Sequence, residues 1–401
     1  MVFVHVEDFV HPDAGYQINV LTKLQVQQGH TVFIITADLD KIPLYLVSFF
    51  GKEDIERKDR EFYEKTGVKI IRLKALGFYS GRVIFRKRLL LDNIISLHPD
   101  VLYVHGEDTL TGIMLIRSYS KLSLPIVLDC HMLEVASKNR LRNVFRFFYR
   151  KFITPIILKN NIPLIRVQET DFVEKCLGIP LSRTYLFPLG TDTSYFIADS
   201  ERKRDLRKEK KLDESAFVVL YAGKLDEHKG GMFFAKSIKE KINAKREIVF
   251  LIVGNTVDEY GLEVEELFSL SENRILRFPT QKYYDLLPFY QIADLAIFPK
   301  QCSMSFFEAQ SCSLPVVFED NDLNIFRAKS GNALIFKHDD TSDFRNKIIE
   351  CAEMDDSKYE VMKYNARQYV LDNYEYPKIA EKTTELMISE RQRFLQNLKG
   401  K

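Results

Sequence analysis

Short runs of β-branched and aliphatic residues recur along the whole chain, and most are continuously apolar rather than alternating. A strand that is apolar at every position has both faces covered, and helices laid over both faces of a parallel sheet produce that pattern. The first half predicts strands at Val2–Val6, Thr31–Thr36, Val68–Leu73, Val101–Val104, Ile126–Asp129 and Leu164–Val167. The second half predicts them at Phe217–Ala222, Ile248–Val253, Arg274–Phe278, Leu295–Phe298, Pro315–Phe318 and Ala333–Phe336. Helical patterns fall between many of them, at Gln17–Gln28, Thr111–Lys121, Gly231–Ile242, Leu262–Leu270 and Phe306–Cys312. This alternation predicts an α/β fold of doubly wound sheets. One sheet of that many strands would be unusually wide, so two are expected.

The break between them is expected between Pro188 and Phe217. There Ser200–Lys211 carries seven basic and three acidic residues and reads as a solvated helix or loop face. Beyond about Lys363 the pattern turns helical again, at Tyr369–Tyr376 and Pro377–Phe394. The expected division is therefore residues 1–190, 191–365, and a helical tail 366–401 that packs back towards the first domain. Doubly wound sheets place ligands at the carboxyl ends of their strands, so two facing sheets are expected to frame a cleft.

Composition narrows the function. With 58 Lys+Arg against 56 Asp+Glu in 401 residues, the formal net charge is only +2. No global field recruits nucleic acid, and none is expected as a partner. Cys130, Cys176, Cys302, Cys312 and Cys351 are too scattered for a disulfide framework and point to a reducing, cytoplasmic setting. CxxC and HExxH are absent, so neither a structural zinc nor a zincin site has support. The opening MVFVHV is too short and uncharged for a signal peptide, and no apolar stretch reaches the length of a membrane span.

Several segments place chemistry-bearing residues at strand ends. Asp13-Ala14-Gly15 follows the first strand and precedes a helix, where a glycine lets a phosphate approach helix-start amides. It also serves as a plain strand–turn–helix connection. Gly223-Lys224-Leu225 and Lys229-Gly230-Gly231 follow the first strand of the second half, and two lysines beside glycine-rich backbone suit a diphosphate. Ser303-Met304-Ser305 precedes Glu308 at a helix start; the carboxylate there is either a dipole-stabilised cap or an acceptor for sugar hydroxyls. His131 lies just beyond Ile126–Asp129, and His5 and His105 hold similar strand-end positions. Lys138–Asn160 carries seven basic residues and no acidic one, with Leu141, Val144, Phe145, Phe148, Phe152 and Ile156 at helical spacing. That stripe either packs on the sheet or lies on an anionic membrane.

In chain order these segments resemble retaining glycosyltransferases of family 4, which have the GT-B fold of two Rossmann-like domains facing across a cleft. Asp13-Ala14-Gly15 with Gly29-His30-Thr31-Val32 resembles the family's opening loop and second strand. Pro99-Asp100-Val101 and Leu124-Pro125-Ile126-Val127 through His131 resemble its paired strands ending in a histidine. Phe187-Pro188-Leu189-Gly190-Thr191-Asp192 with Phe196 resembles its interdomain crossing. Gly223-Lys224-Leu225 with Lys229-Gly230 resembles its phosphate loop, with Lys for Arg, and Val253-Gly254-Asn255 its next strand end. Glu308-Ala309 through Pro315-Val316-Val317 resembles its Glu-Ala…Pro-Val-Val run.

The resemblance implies metal-independent transfer of a sugar from a nucleotide-sugar to an acceptor hydroxyl, with no cofactor. The acceptor would be a glycan, a lipid-linked sugar or a protein. Gly15, Lys224 and Lys229 would hold the donor diphosphate, with backbone amides around Ser303 and Met304 assisting. Gly223 and Gly254 would also bind the donor, Glu308 the ribose, and His131, near the transferred sugar, would be catalytic with Lys224 and Lys229. One position departs: eight residues before Glu308, where the family carries another glutamate, this chain has Lys300. A charged lysine accepts no hydrogen bond, so Lys300 would face a phosphate or an anionic sugar instead. A catalytically weak nucleotide-sugar-binding subunit is the alternative this departure raises. A nicotinamide oxidoreductase is disfavoured because GxGxxG is absent.

Overall fold

The computed structural model describes residues 1–39, 54–79, 82–132, 141–256, 258–300 and 305–399. The chain divides into two compact units, Met1–Leu189 with Tyr376–Lys401, and Gly190–Glu375. The sequence boundary at 365 lies inside the helix Asp356–Asn373, which packs within the second unit against the helix Ser305–Ser311. The chain re-enters the first unit at Tyr376, where Pro377 opens the helix Tyr376–Lys399.

Unit 1 contains β1 (Val2–Val6), β2 (Thr31–Ala37), β3 (Lys69–Leu73), β4 (Ala75–Tyr79), β5 (Arg82–Phe85), β6 (Val101–His105), β7 (Ile126–Cys130), β8 (Leu164–Arg166) and β9 (Thr184–Leu186). Seven of them form one parallel sheet in the order β3-β2-β1-β6-β7-β8-β9, and β4 and β5 form a separate antiparallel hairpin. Unit 2 contains β10 (Phe217–Ala222), β11 (Ile248–Val253), β12 (Arg274–Phe278), β13 (Leu295–Phe298), β14 (Val316–Glu319) and β15 (Ala333–Phe336). Its sheet is also parallel, in the order β12-β11-β10-β13-β14-β15. Both are Rossmann orders, in which direction reverses at the first strand and leaves a crevice at the carboxyl edge. The switch points lie between β1 and β6 and between β10 and β13.

The core explains the apolar runs. In unit 1, Val4, Val6, Leu102, Val104, Ile126 and Leu128 pack on one face of the sheet. Phe3, Val101, Tyr103, Val127 and Ile165 pack on the other, against Ala380, Leu386 and Met387 of the C-terminal helix. Phe217, Val219, Phe250 and Ile297 lead the corresponding core of unit 2. Successive strand residues point to opposite faces, so a strand filled on both sides reads as a solid apolar run.

Two sequence expectations are corrected. Helix Ser200–Glu209 is not a wholly solvated face, because Lys203 and Arg207 turn inward onto the buried Asp294, Lys203 at 2.7 Å and Arg207 at 2.5 Å. Of the expected stripe, Phe145 and Ile156 pack partly against the unit 1 core, but Leu141, Val144, Phe148 and Phe152 do not. Phe148 is 53% and Phe152 51% exposed, while Tyr149, Ile153 and Ile157 are buried. A π-helical turn over Tyr149–Ile153 lies between the helices Arg142–Phe148 and Thr154–Lys159 and carries the buried Tyr149 and Ile153. Pro155 has no N–H for the carbonyl a turn earlier, and the widened turn absorbs the mismatch. One inserted residue rotates the helix face, which a steady 3.6-residue period cannot anticipate. No described helix is long and apolar enough to cross a membrane.

Candidate functional site

The carboxyl edge of unit 2 is built from backbone. Strands β10 and β11 pair in register from Phe217 with Ile248 to Ala222 with Val253, so Gly223 and Gly254 leave the sheet side by side. A Cβ on Gly254 would lie 1.8 Å from the Gly223 carbonyl oxygen, and Gly254 has φ +152°. No residue with a side chain fits there. The loop then closes on itself: Tyr221 donates its hydroxyl to the Lys224 carbonyl at 2.6 Å, and the Lys229 amide donates to Asp226 Oδ1 at 2.9 Å. Gly230 follows with φ +73°.

Lys300, just past β13, lays its stem across that glycine. A Cβ on Gly230 would meet Lys300 Cγ at 2.8 Å. The Lys300 ammonium sits 3.3 Å from Asp339 Oδ1. Lys224 directly follows Gly223, Lys229 directly precedes Gly230, and Lys300 crosses Gly230, so the three lysines belong to one strand edge. Ser305, at the start of helix Ser305–Ser311, donates to the Ala222 carbonyl at 3.2 Å and ties that helix to the end of β10. Ser303 and Met304 lie outside the described residues.

Glu308 occupies the first turn of the same helix and is buried. Its Oε1 accepts hydrogen bonds from the Thr191 and Tyr283 hydroxyls, both at 3.0 Å. Burial pushes its carboxyl up to about 7, although the two hydroxyls favour the ionised form. Two residues beyond the helix, Ser313 sits at φ +58°, a conformation that favours glycine.

The carboxyl edge of unit 1 is built from side chains. Gly15 lies in its loop before the helix Gln17–Gln27, at φ +65°, beside Asp13, whose carboxylate pairs with Lys58 at 2.8 Å. Register brings the rest together, since His5 pairs with Tyr103 and His105 with Asp129 across β1, β6 and β7. Asp129 Oδ2 lies 2.9 Å from His105 Nδ1 and 3.1 Å from His131 Nε2. Asp129 Oδ1 accepts the Gly106 amide at 2.8 Å. Glu107 is fully buried on the following loop, where burial drives its carboxyl well above the ordinary range. Tyr149, from the π-helical turn, donates its hydroxyl to the Glu107 carbonyl oxygen at 3.2 Å.

Of the expected site residues, the structure thus gathers Gly223, Lys224, Lys229, Gly254, Lys300 and Glu308 at one edge, and places Gly15 and His131 in the other unit. Sequence reasoning missed Asp129, Glu107, Thr191 and Tyr283 as site residues. The first two were legible as polar interruptions at the ends of β6 and β7. Thr191 and Tyr283 reach Glu308 from 117 and 25 positions away, a relation no local pattern reports. A second carboxylate–imidazole group, Glu319, His338 and Asp339, has its Asp339 already engaged by Lys300. A cavity of about 350 Å³ beside β8 and β9, bordered by Ile157, Arg183, Glu390 and Arg393, involves none of these residues.

Residues 216–354 match the family model for glycosyl transferases of group 1, which covers most of unit 2. A glycosyltransferase from Rickettsia africae superposes with a TM-score of 0.75 at 14% identity, over 97% of this chain and 98% of that one. HepE from Anabaena, in complex with UDP and glucose, gives 0.71 at 15% identity, over 97% and 100%. Sucrose-phosphate synthase from Thermosynechococcus elongatus gives 0.69 at 16% identity, over 98% and 99%. No curated protein matches the sequence. The fold is GT-B. In it, Gly223 and Gly254 follow the neighbouring strands β10 and β11, and Lys300 follows β13 on the other side of β10, all inside the part of the chain that the family model matches.

Proposed function

We propose that this protein is a retaining glycosyltransferase, hexosyltransferase-like and metal-independent, that uses a nucleotide-sugar donor in glycan synthesis. The observation that carries the reading is the Gly223–Gly254 crossing with Lys224, Lys229 and Lys300 around it. A diphosphate can approach bare backbone closely and meet ammonium groups, which suit it as compact charges. HepE, of the same fold, has been captured with UDP and with UDP-glucose, in keeping with such a donor.

The step forms a bond from the acceptor oxygen to the sugar's anomeric carbon on the face the diphosphate leaves. The bond from that carbon to the phosphate oxygen breaks, its electron pair stays on the diphosphate, and the acceptor's proton passes to the departing phosphate. Negative charge grows on the diphosphate as it leaves. Lys224 and Lys229 stabilise it in the role a metal ion fills elsewhere, and fixed cations cost no reorganisation at that moment. Glu308 receives the ribose hydroxyls, and His131 serves the sugar at the edge of unit 1.

The acceptor is membrane-linked on this reading, and the protein is a peripheral cytoplasmic enzyme. Leu141, Val144, Phe147, Phe148 and Phe152 are all more than half exposed, with Lys151 over the rings of Phe147 and Phe152 at 5.8 and 5.6 Å. Aromatic side chains set among cations, with no carboxylate between residues 138 and 160, match an anionic lipid surface. Transfer from a panel of radiolabelled nucleotide-sugars to a lipid extract tests the whole reading. Release of sugar into lipid by one donor supports it; saturable donor binding without transfer or hydrolysis supports the binding-subunit alternative. Phe148→Ser with Phe152→Ser should lower partition onto anionic vesicles at least about tenfold, as expected for removing two exposed aromatic side chains that would enter the lipid. Unchanged partition removes the membrane assignment.

A further inference from the structure

Five polar side chains run in file through unit 1 from the helix Gln17–Gln27 to the sheet edge. Gln25 Oε1 lies 2.8 Å from His5 Nε2, and His5 Nδ1 lies 3.1 Å from His105 Nε2. His105 Nδ1 and His131 Nε2 then meet the same oxygen of Asp129, at 2.9 and 3.1 Å. Gln25, His5, His105 and Asp129 are buried, whereas the His131 side chain is 37% exposed. The file follows from strand register. His5, His105 and Asp129 occupy alternate positions after Phe3, Tyr103 and Val127, so all three share the face those apolar residues fill.

A carboxylate only accepts hydrogen bonds. The two imidazole N–H directions are not well aligned with Oδ2, but at these separations a nitrogen lone pair would face an oxygen lone pair. Each facing nitrogen therefore holds its hydrogen. For His131 this fixes Nε2 as proton-bearing in both charge states of the ring, and the proton that comes and goes sits on Nδ1.

The charges around His131 favour the protonated ring. Burial opposes it, but Asp129 outweighs burial, and Glu7 after β1 and Asp108 after β6 add to it, holding the imidazole at about 8. Burial likewise raises Asp129, yet His131 and His105 together hold its carboxyl well below the ordinary range. Burial pushes Glu7 up to about 7 and depresses His5 to about 3, so His5 stays neutral.

We propose that Asp129 is a positioning residue that locks the proton on Nε2 of His131, so that Nδ1 is a cationic hydrogen-bond donor for a substrate oxyanion near neutral pH and becomes an acceptor in alkaline solution. Sugar transfer enters only as the setting in which that oxyanion, a phosphate or carboxylate, is met.

The test uses the full chain with ¹⁵N-labelled histidine, the His131 signals assigned with His131→Gln. Expected is titration of His131 near pH 8 with Nε2 protonated throughout and Nδ1 losing its proton. Asp129→Asn should lower the proton affinity at least about tenfold, one pKa unit, and abolish the tautomer preference. Inorganic phosphate, as the probe, should perturb Nδ1 below the midpoint and not above it. Nδ1–H at alkaline pH in the native protein, a midpoint unmoved by Asp129→Asn, or an equal phosphate response on both sides each overturns the proposal. Stoichiometric Zn²⁺ displacing the proton from both rings at neutral pH would also overturn it. If Asp129→Asn does not fold, the native tautomer decides alone. In a transfer assay the rate should fall through the same midpoint. The predicted titration with a flat rate profile would leave the proton assignment standing and contradict the transfer reading of this edge.

Discussion

Unit 1 and unit 2 present the same topological edge made of opposite materials. Both sheets are parallel, both follow Rossmann order, and both open a switch point beside their first strand. Unit 2 fills that edge with glycine backbone and long lysines, two chains passing so closely that no Cβ fits at Gly254. Unit 1 fills it with short side chains, His105, Glu107 and Asp129, packed out of water. Bare backbone with ammonium groups beside it suits a bulky polyanion. A buried imidazole–carboxylate file is preset and holds one proton pattern. Topology supplies the place, and the choice between backbone and side chain decides whether the place grips charge or fixes protons.

The largest effect should come from Gly254→Ala. The added Cβ meets the Gly223 carbonyl at 1.8 Å in a backbone conformation that side chains avoid, so unit 2 should lose roughly 3 kcal/mol or more. Urea unfolding followed by tyrosine fluorescence or circular dichroism measures it, since the chain has 19 Tyr and no Trp. A variant of native stability would mean the two strand ends do not cross as closely as described.

Next in size, Lys229→Ala should cut transfer about 10²-fold while leaving the fold intact, in the range of removing one preorganised charge donor. Initial rates at saturating donor check it, and a near-native rate would contradict the proposed diphosphate grip of unit 2.

A smaller effect is expected at Glu308, the one buried acid of the unit 2 edge for which a folded-state value near neutrality is resolved. Its carboxyl ionises only as pH passes about 7, so donor affinity should rise through that point, about tenfold, if ribose hydroxyls donate to it. Glu308→Gln should flatten the profile. The stability sign is opposite: the folded protein binds this proton more tightly than the unfolded chain, so the contribution is full below about 4.5 and is lost as pH rises through about 7. Calorimetric titration across pH 5–9 reads the affinity, and thermal melts read the stability. A pH-independent native affinity would separate Glu308 from the donor.

The smallest is Ser313→Gly, expected to stabilise unit 2 by about 0.5–1 kcal/mol because a non-glycine residue is held at φ +58°. A loss of stability would show that the serine contributes more than its strain costs.

Much of the fold was legible because a parallel sheet writes itself as apolar runs. Phe217–Ala222, Ile248–Val253, Leu295–Phe298 and Ala333–Phe336 were read with their observed ends. The hairpin Ala75–Phe85 was not, since its strands are half-exposed and Gly77 interrupts the apolar pattern at a register shift. The unit 2 edge was legible because glycine and lysine act locally, each marking its own position. The unit 1 edge was legible only in part: Gly15, His5, His105 and His131 stood out at strand ends, but the role of Asp129 comes from the pairing that sets it beside His105, and sequence reports periodicity but not register. The π-helical turn at Tyr149–Ile153 was hidden for a related reason: its cause, Pro155, was visible, but the direction in which the helix face would turn was not.

The central claim is that the glycine–lysine edge of unit 2 grips a nucleotide diphosphate. Isothermal titration of the full chain with uridine, adenosine, guanosine and cytidine diphosphate sugars tests it most directly, the native protein set beside Lys224→Ala with Lys229→Ala. The account predicts saturable binding of at least one donor by the native chain, weakened about 10²-fold or more in the double variant. Equal affinity in both proteins, or binding of none of the four classes, would contradict it.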